Sequence, residues 1–174
     1  MNKLRADVIA SAIGAKTHFD MWWSQASEGR EELVVGRNRH SDFFRASRDA
    51  HYVAFFIYFG QLFDKRADTS SIRNLLKVSK QALEPTRYAE LRVRHALLEE
   101  RASPLLTVRH FHVAHVNAQL TETDIFRPLR ITWFQVRDTI HDSAAFVSDL
   151  VGAKHGGEVG IPRDGRLAEA TESL

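Results

Sequence analysis

The sequence predicts an all-α fold, on three observations. Apolar residues return every three or four positions through most of the chain, the spacing of a helical stripe; no stretch alternates with period two over a convincing length; and no unit repeats at a fixed period. A chain of 174 residues fills one core and is short for two, so one domain is expected, completed where needed by self-association. Hydrophobic content of 44%, with 11 Phe and 3 Trp, gives that core ample material, while 26% charged residues is ordinary for a water-facing exterior. Cysteine is absent, which removes disulfides and any thiolate metal site.

Helix one is expected over Asn2–Ala26, where Leu4, Val8, Ile9, Ala12, Ile13, Ala15, Phe19, Trp22 and Trp23 form one stripe. Asp7, Ser11, Gly14 and Lys16 interrupt its apolar stretch well short of a membrane span, so it reads as an amphipathic helix of a soluble, cytoplasmic protein with no membrane partner. Glu28 to His40 has no period and reads as a loop, leading into Ser41 or Asp42 as a cap. Phe43 to Phe63 is apolar on more than one face, most of all from Val53 to Phe59, and so belongs in the middle of a bundle. Its Gly60 is expected to admit a neighbouring helix.

Ser70 or Ser71 can cap a shorter helix holding Ile72, Leu75, Leu76, Val78 and Leu83, with Pro85 at its end. A long pattern then runs from Thr86 to Val116, in which Ser103 and Pro104 predict a break or kink, because an interior proline removes a hydrogen bond and crowds the preceding turn. After a linker around Thr121 to Pro128, residues Trp133 to Leu150 give a last amphipathic helix. The glycines from Gly152 onward mark a flexible C-terminal tail over residues 152–174, leaving residues 1–151 as the helical domain.

The net charge of +2 is too small to define a nucleic-acid binder. Usage is more informative: 18 of the 24 cations are Arg, whose planar fork suits phosphate oxygens, although a GC-rich genome produces the same bias. Reactive side chains are densest from Arg109 to His115, where His110, His112 and His115 join Arg109 on one expected helix. His112 and His115 are helical neighbours. Arg109 and His115, six positions apart, are separated by about 240° of rotation and roughly 9 Å of rise. One copy of the helix does not bring those two to a single phosphate, but a second copy or another helix can supply the missing half.

The spelling Arg109-His110-x-x-x-Ala114-His115 resembles the R-polar-x-x-x-x-H signature of HEPN domains. The preceding FFIYFGQLFDKRADTSSIRNLL, from Phe55 to Leu76, is similar to the abortive-infection U-type branch of that family, in which an apolar helix ending in Leu-Phe-Asp precedes a short Ser-led helix. The resemblance spans about Phe43 to Asn117 and implies an all-α HEPN-like helical bundle. It further implies a metal-independent endoribonuclease that needs no cofactor and works as a homodimer with two motifs in one cleft. Toxin–antitoxin and phage-defence systems are the usual setting, with RNA as substrate and a cognate antitoxin as a possible partner.

Cleavage inside RNA takes a proton from a 2′-hydroxyl and gives one to the leaving oxygen, work suited to an imidazole, and that role falls to His115. The transition state gathers negative charge on nonbridging oxygens, which a guanidinium meets with parallel hydrogen bonds, and that role falls to Arg109. His110 is expected to orient substrate. His112, Arg37 and Arg39 are candidate RNA contacts, against the plainer readings of packing for His112 and a solvated loop for the two arginines; Arg92, Arg94 and His95 are weighed the same way.

The aromatic tract Tyr52, Phe55, Phe56, Tyr58 and Phe59 reads as core or interface rather than a base-stacking platform. Asp138 with His141 repeats a ligand-like spacing, but the two Glu-x-x-His motifs and extra Glu of a di-iron bundle are missing, so no metal site is expected. The competing class is a noncatalytic HEPN module that holds nucleotide, RNA or a regulatory partner. A plain structural bundle is the third.

Overall fold

The computed structural model describes residues 2–26, 39–110 and 127–152. It is built from helices α1 (Asn2–Ala26), α2 (Ser41–Leu62), α3 (Ile72–Ser79), α4 (Pro85–Val108) and α5 (Trp133–Gly152), with a 3-10 turn at Lys80–Ala82. No strand occurs among the described residues. None of these helices is long and apolar enough to cross a membrane.

Helix α1 forms where the periodicity predicts it and lays its stripe of Val8, Ala12, Ala15, Phe19 and Trp22 along α2 and, less extensively, α5. Phe55, Phe56 and Phe59 answer from α2, each with no exposed surface, and Phe19 meets Phe55 edge to face at 5.4 Å between ring centroids. Each such fully buried phenyl ring contributes about 1.5–3 kcal/mol. From α5, Val136, Ile140, Ala144 and Val147 close the same core, against which α4 packs Leu91, Leu98, Ala102 and Leu105. At Gly14 the bundle is tight: a Cβ there would lie 2.7 Å from the Tyr58 ring, so a side chain would push α1 off α2.

Several local expectations change. Helix α2 begins at Ser41 with His40 in the capping position, and no side chain bonds its first turn, so neither Ser41 nor Asp42 caps it. Asp42 instead lies within that turn, where a carboxylate favours the helix dipole. Ser71 does occupy the capping position of α3, but its buried hydroxyl makes no bond to the turn, while Ser70 donates to Asp7 of α1 at 2.7 Å. Pro85 opens α4 rather than closing α3, since at the first helical position it has no hydrogen bond to lose.

Pro104 lies inside α4, which runs through it unbroken to Val108. The carbonyl it leaves unpaired is that of Glu100, one turn before, on an exposed residue that water can reach. Helix α2 is not enclosed on all sides either: Val53 and Ile57 are each 41% exposed, while its other faces pack chiefly against α1. Residues 127–129, at the end of the expected linker, are helical, and Gly152 is the last residue of α5. The rest of the expected tail and most of the Glu28–His40 loop lie outside the described residues.

Candidate functional site

Arg109 follows directly on α4, and with His110 it has the wider, π-helical geometry. Its backbone N–H donates to the carbonyls of both Leu105 and Leu106, which fixes where its side chain departs. Such wide turns recur at functional sites. Leu105 and Val108 anchor the same segment in the core, so the root of Arg109 is rigid.

The Arg109 side chain crosses α2 at Gly60. A Cβ on Gly60 would meet Arg109 Nε at 2.7 Å, Cδ at 2.9 Å and Cζ at 3.2 Å, and these are its three nearest atoms. The glycine therefore admits a guanidinium rather than the backbone of a neighbouring helix, which corrects the sequence expectation. Arg109 Nε is buried with no hydrogen-bond partner. An unsatisfied buried donor costs about 1–3 kcal/mol, so the position invites an acceptor.

Just beyond the end of α2, four positions after Gly60, Asp64 supplies a counter-charge. Arg66 binds both its carboxylate oxygens, through Nη2 at 2.9 Å and Nε at 3.2 Å, and donates its backbone N–H at 3.0 Å. The Arg66 bonds lower the Asp64 pKa against the opposing effect of burial, and the charge of Arg109 lowers it further. Asp64 is thus ionised at neutral pH and lies within the field of Arg109.

His110, next to Arg109, is exposed, and Arg39 is exposed just before α2. His115, His112 and Arg37 lie outside the described residues. Among the other candidate RNA contacts, Arg94 bonds Asp149 of α5 at 2.8 Å and stacks over Phe146, His95 is buried beside Phe63, and Arg92 remains exposed. Phe55, Phe56 and Phe59 are core, as the aromatic tract predicts.

Two polar clusters escaped the sequence reading. Asp20 of α1 takes a bond from Lys16 Nζ at 2.6 Å and is bound to His141 Nε2 of α5 at 2.8 Å. Burial pushes the Asp20 carboxyl up, but its bonds to His141 and Lys16 together outweigh that and hold it below the usual value. Across α1 and α2, His18 and His51 face each other Nδ1 to Nδ1 at 2.7 Å, with His18 stacked on Tyr58. Burial lowers both pKa values, and for His18 the charge of His51 adds to it. His141 and Asp138 do not combine, since His141 turns to Asp20 and Asp138 to Arg137; no cluster of three His, Asp or Glu side chains suited to a metal occurs among the described residues.

An all-α bundle is consistent with the helical fold of the HEPN class. The family described as HEPN AbiU2 matches residues 2–156, nearly the whole chain, and the protein belongs to that family. No curated protein and no solved structure matches it.

Proposed function

We propose that the protein is a metal-independent endoribonuclease of an abortive-infection or toxin–antitoxin system, acting on RNA as a cytoplasmic homodimer. The observation that carries this reading is the state of Arg109: rooted in a core-anchored turn, laid across Gly60, and left with a buried Nε that lacks an acceptor. A phosphate oxygen is the acceptor that a guanidinium best matches, and a positioned one loses little entropy on engaging it.

In this reading Arg109 holds the scissile phosphate and stabilises charge as it develops on the nonbridging oxygens. His115 moves the proton: it removes one from the 2′-hydroxyl, the 2′-oxygen attacks phosphorus, and the 5′-oxygen leaves with a proton supplied by the partner motif. A 2′,3′-cyclic phosphate and a 5′-hydroxyl end are the products. His110 orients the substrate, and His112, Arg37 and Arg39 contact the RNA. Dimerisation supplies the half of the site that the six-position separation of Arg109 and His115 keeps apart within one copy.

The test compares wild type, Arg109→Ala and His115→Ala on total RNA in EDTA, after circular dichroism shows that all three fold alike. Cleavage by wild type is expected, with losses of about 10²–10³ for the arginine and about 10²–10⁴ for the histidine. If none cleaves, or all cleave equally, the ribonuclease reading falls, and the noncatalytic HEPN module that binds nucleotide, RNA or a partner replaces it.

A further inference from the structure

A cleft of about 460 Å³ lies between α1, the end of α2 and the segment leading to α3. A volume of that order suits a small ligand or one unit of a polymer. Asp64 lines this cleft and also feels the charge of Arg109, so it forms the boundary between the two. Gly60, where Arg109 rests, and Asp64, in the cleft wall, are four positions apart, the spacing that brings two residues to the same side of a helical turn. A group held by Arg109 and a group in the cleft are therefore neighbours.

The charges around the cleft cancel. Lys3 pairs with Asp7 at 2.7 Å and Arg66 pairs with Asp64, leaving two cations matched by two carboxylates. The carboxylates oppose a phosphate inside the cleft, and the cations oppose a metal or an amine. Between the charges stand neutral groups: the Ser11 hydroxyl, which donates to Gln61 Oε1 at 3.0 Å, the Ser70 hydroxyl, which donates to Asp7, and the side of the Tyr58 ring. That bond leaves the amide N–H₂ of the exposed Gln61 to donate, and both hydroxyl oxygens keep lone pairs to accept. A flat, neutral ring carrying both donors and acceptors matches this lining.

Resting on the ribonuclease reading, we infer that the cleft receives a nucleobase of the RNA strand whose phosphate Arg109 binds, with Gln61 reading the base edge. It is a specificity subsite, and Gln61 a specificity residue whose loss relaxes the choice of base without unfolding the protein.

The experiment titrates the protein in EDTA with each of the four ribonucleoside 5′-monophosphates and with ribose 5-phosphate, which carries the sugar and phosphate but no base. At least one nucleotide is expected to bind more tightly than ribose 5-phosphate. Gln61→Ala is expected to remove about three- to tenfold of that nucleotide's affinity, the worth of one or two hydrogen bonds, and to leave ribose 5-phosphate unchanged. Arg109→Ala is expected to weaken all five ligands. Equal binding of ribose 5-phosphate and every nucleotide overturns the subsite, as does an identical nucleotide affinity in Gln61→Ala. If the base preference and its Gln61 dependence hold while Arg109→Ala changes nothing, the subsite stands and the phosphate role of Arg109 falls.

Discussion

Gly60→Ala is a one-carbon perturbation aimed at Arg109. The new methyl group would sit 2.7 Å from Nε and 2.9 Å from Cδ, closer than carbon contacts allow, so the arginine must shift from its position over Gly60. Moving a side chain off its rotamer costs about 0.5–1.5 kcal/mol, and overpacking a tight site costs about 1–3 kcal/mol. Against this, alanine gains about 0.8–1.0 kcal/mol of helix propensity over glycine. The net effect ranges from about neutral to about 2 kcal/mol of destabilisation, a fall in Tm of no more than about 8 °C for a chain of this size. Activity suffers more: losing charge-assisted hydrogen bonds worth about 1.5–3 kcal/mol lowers kcat/KM by about 10- to 150-fold.

The measurement pairs RNA cleavage with urea unfolding of wild type, Gly60→Ala, Arg109→Ala and the double variant. Because the three atoms nearest the new methyl all belong to Arg109, the alanine should turn stabilising, by about 0.5–1 kcal/mol, once Arg109 is shortened. Wild-type cleavage by Gly60→Ala would refute the argument. So would an equal stability loss with and without Arg109, which would place the crowding elsewhere.

Two further predictions concern the clusters outside the site. Asp20→Ala leaves Lys16, whose side chain is 10% exposed, without its partner, and should cost about 3–5 kcal/mol at pH 7 by chemical denaturation. Because the folded Asp20 pKa lies below its ordinary value of 3.8, this contribution is full above that value and is lost as pH falls through the folded one. The gap between wild type and variant should therefore narrow in acid, and a gap independent of pH would count against an ionised, stabilising Asp20. For His18 and His51 the folded pKa values lie below the ordinary 6.5, so the unfolded chain takes up protons first. Stability should be full above pH 6.5 and decline as pH falls below it, with a shallower decline in His51→Gln; identical Tm slopes between pH 7.5 and 5.5 would refute the linkage.

The sequence alone determined the helices, because amphipathic periodicity is a local property that any core must satisfy. Asn2–Ala26 and the helix from Trp133 are read directly from it. Arg109 stands out in the sequence as a candidate, through a motif that needs only neighbouring residues, but the groove in which its side chain lies does not. Punctuation was less secure: Pro85 and Pro104 each signal a break, and only the turn in which each sits decides whether a missing N–H matters. What the tertiary structure decided is who meets whom. Gly60 appears in the sequence as a place for close approach, but the approaching group is a guanidinium, set by the angle at which the end of α4 crosses α2. His141 finds Asp20 across 121 positions, and His18 finds His51 across 33, pairings that no periodicity encodes. A stripe fixes which face of a helix is buried; the packing of one helix on another fixes which polar groups at the edges of those stripes come within hydrogen-bond reach.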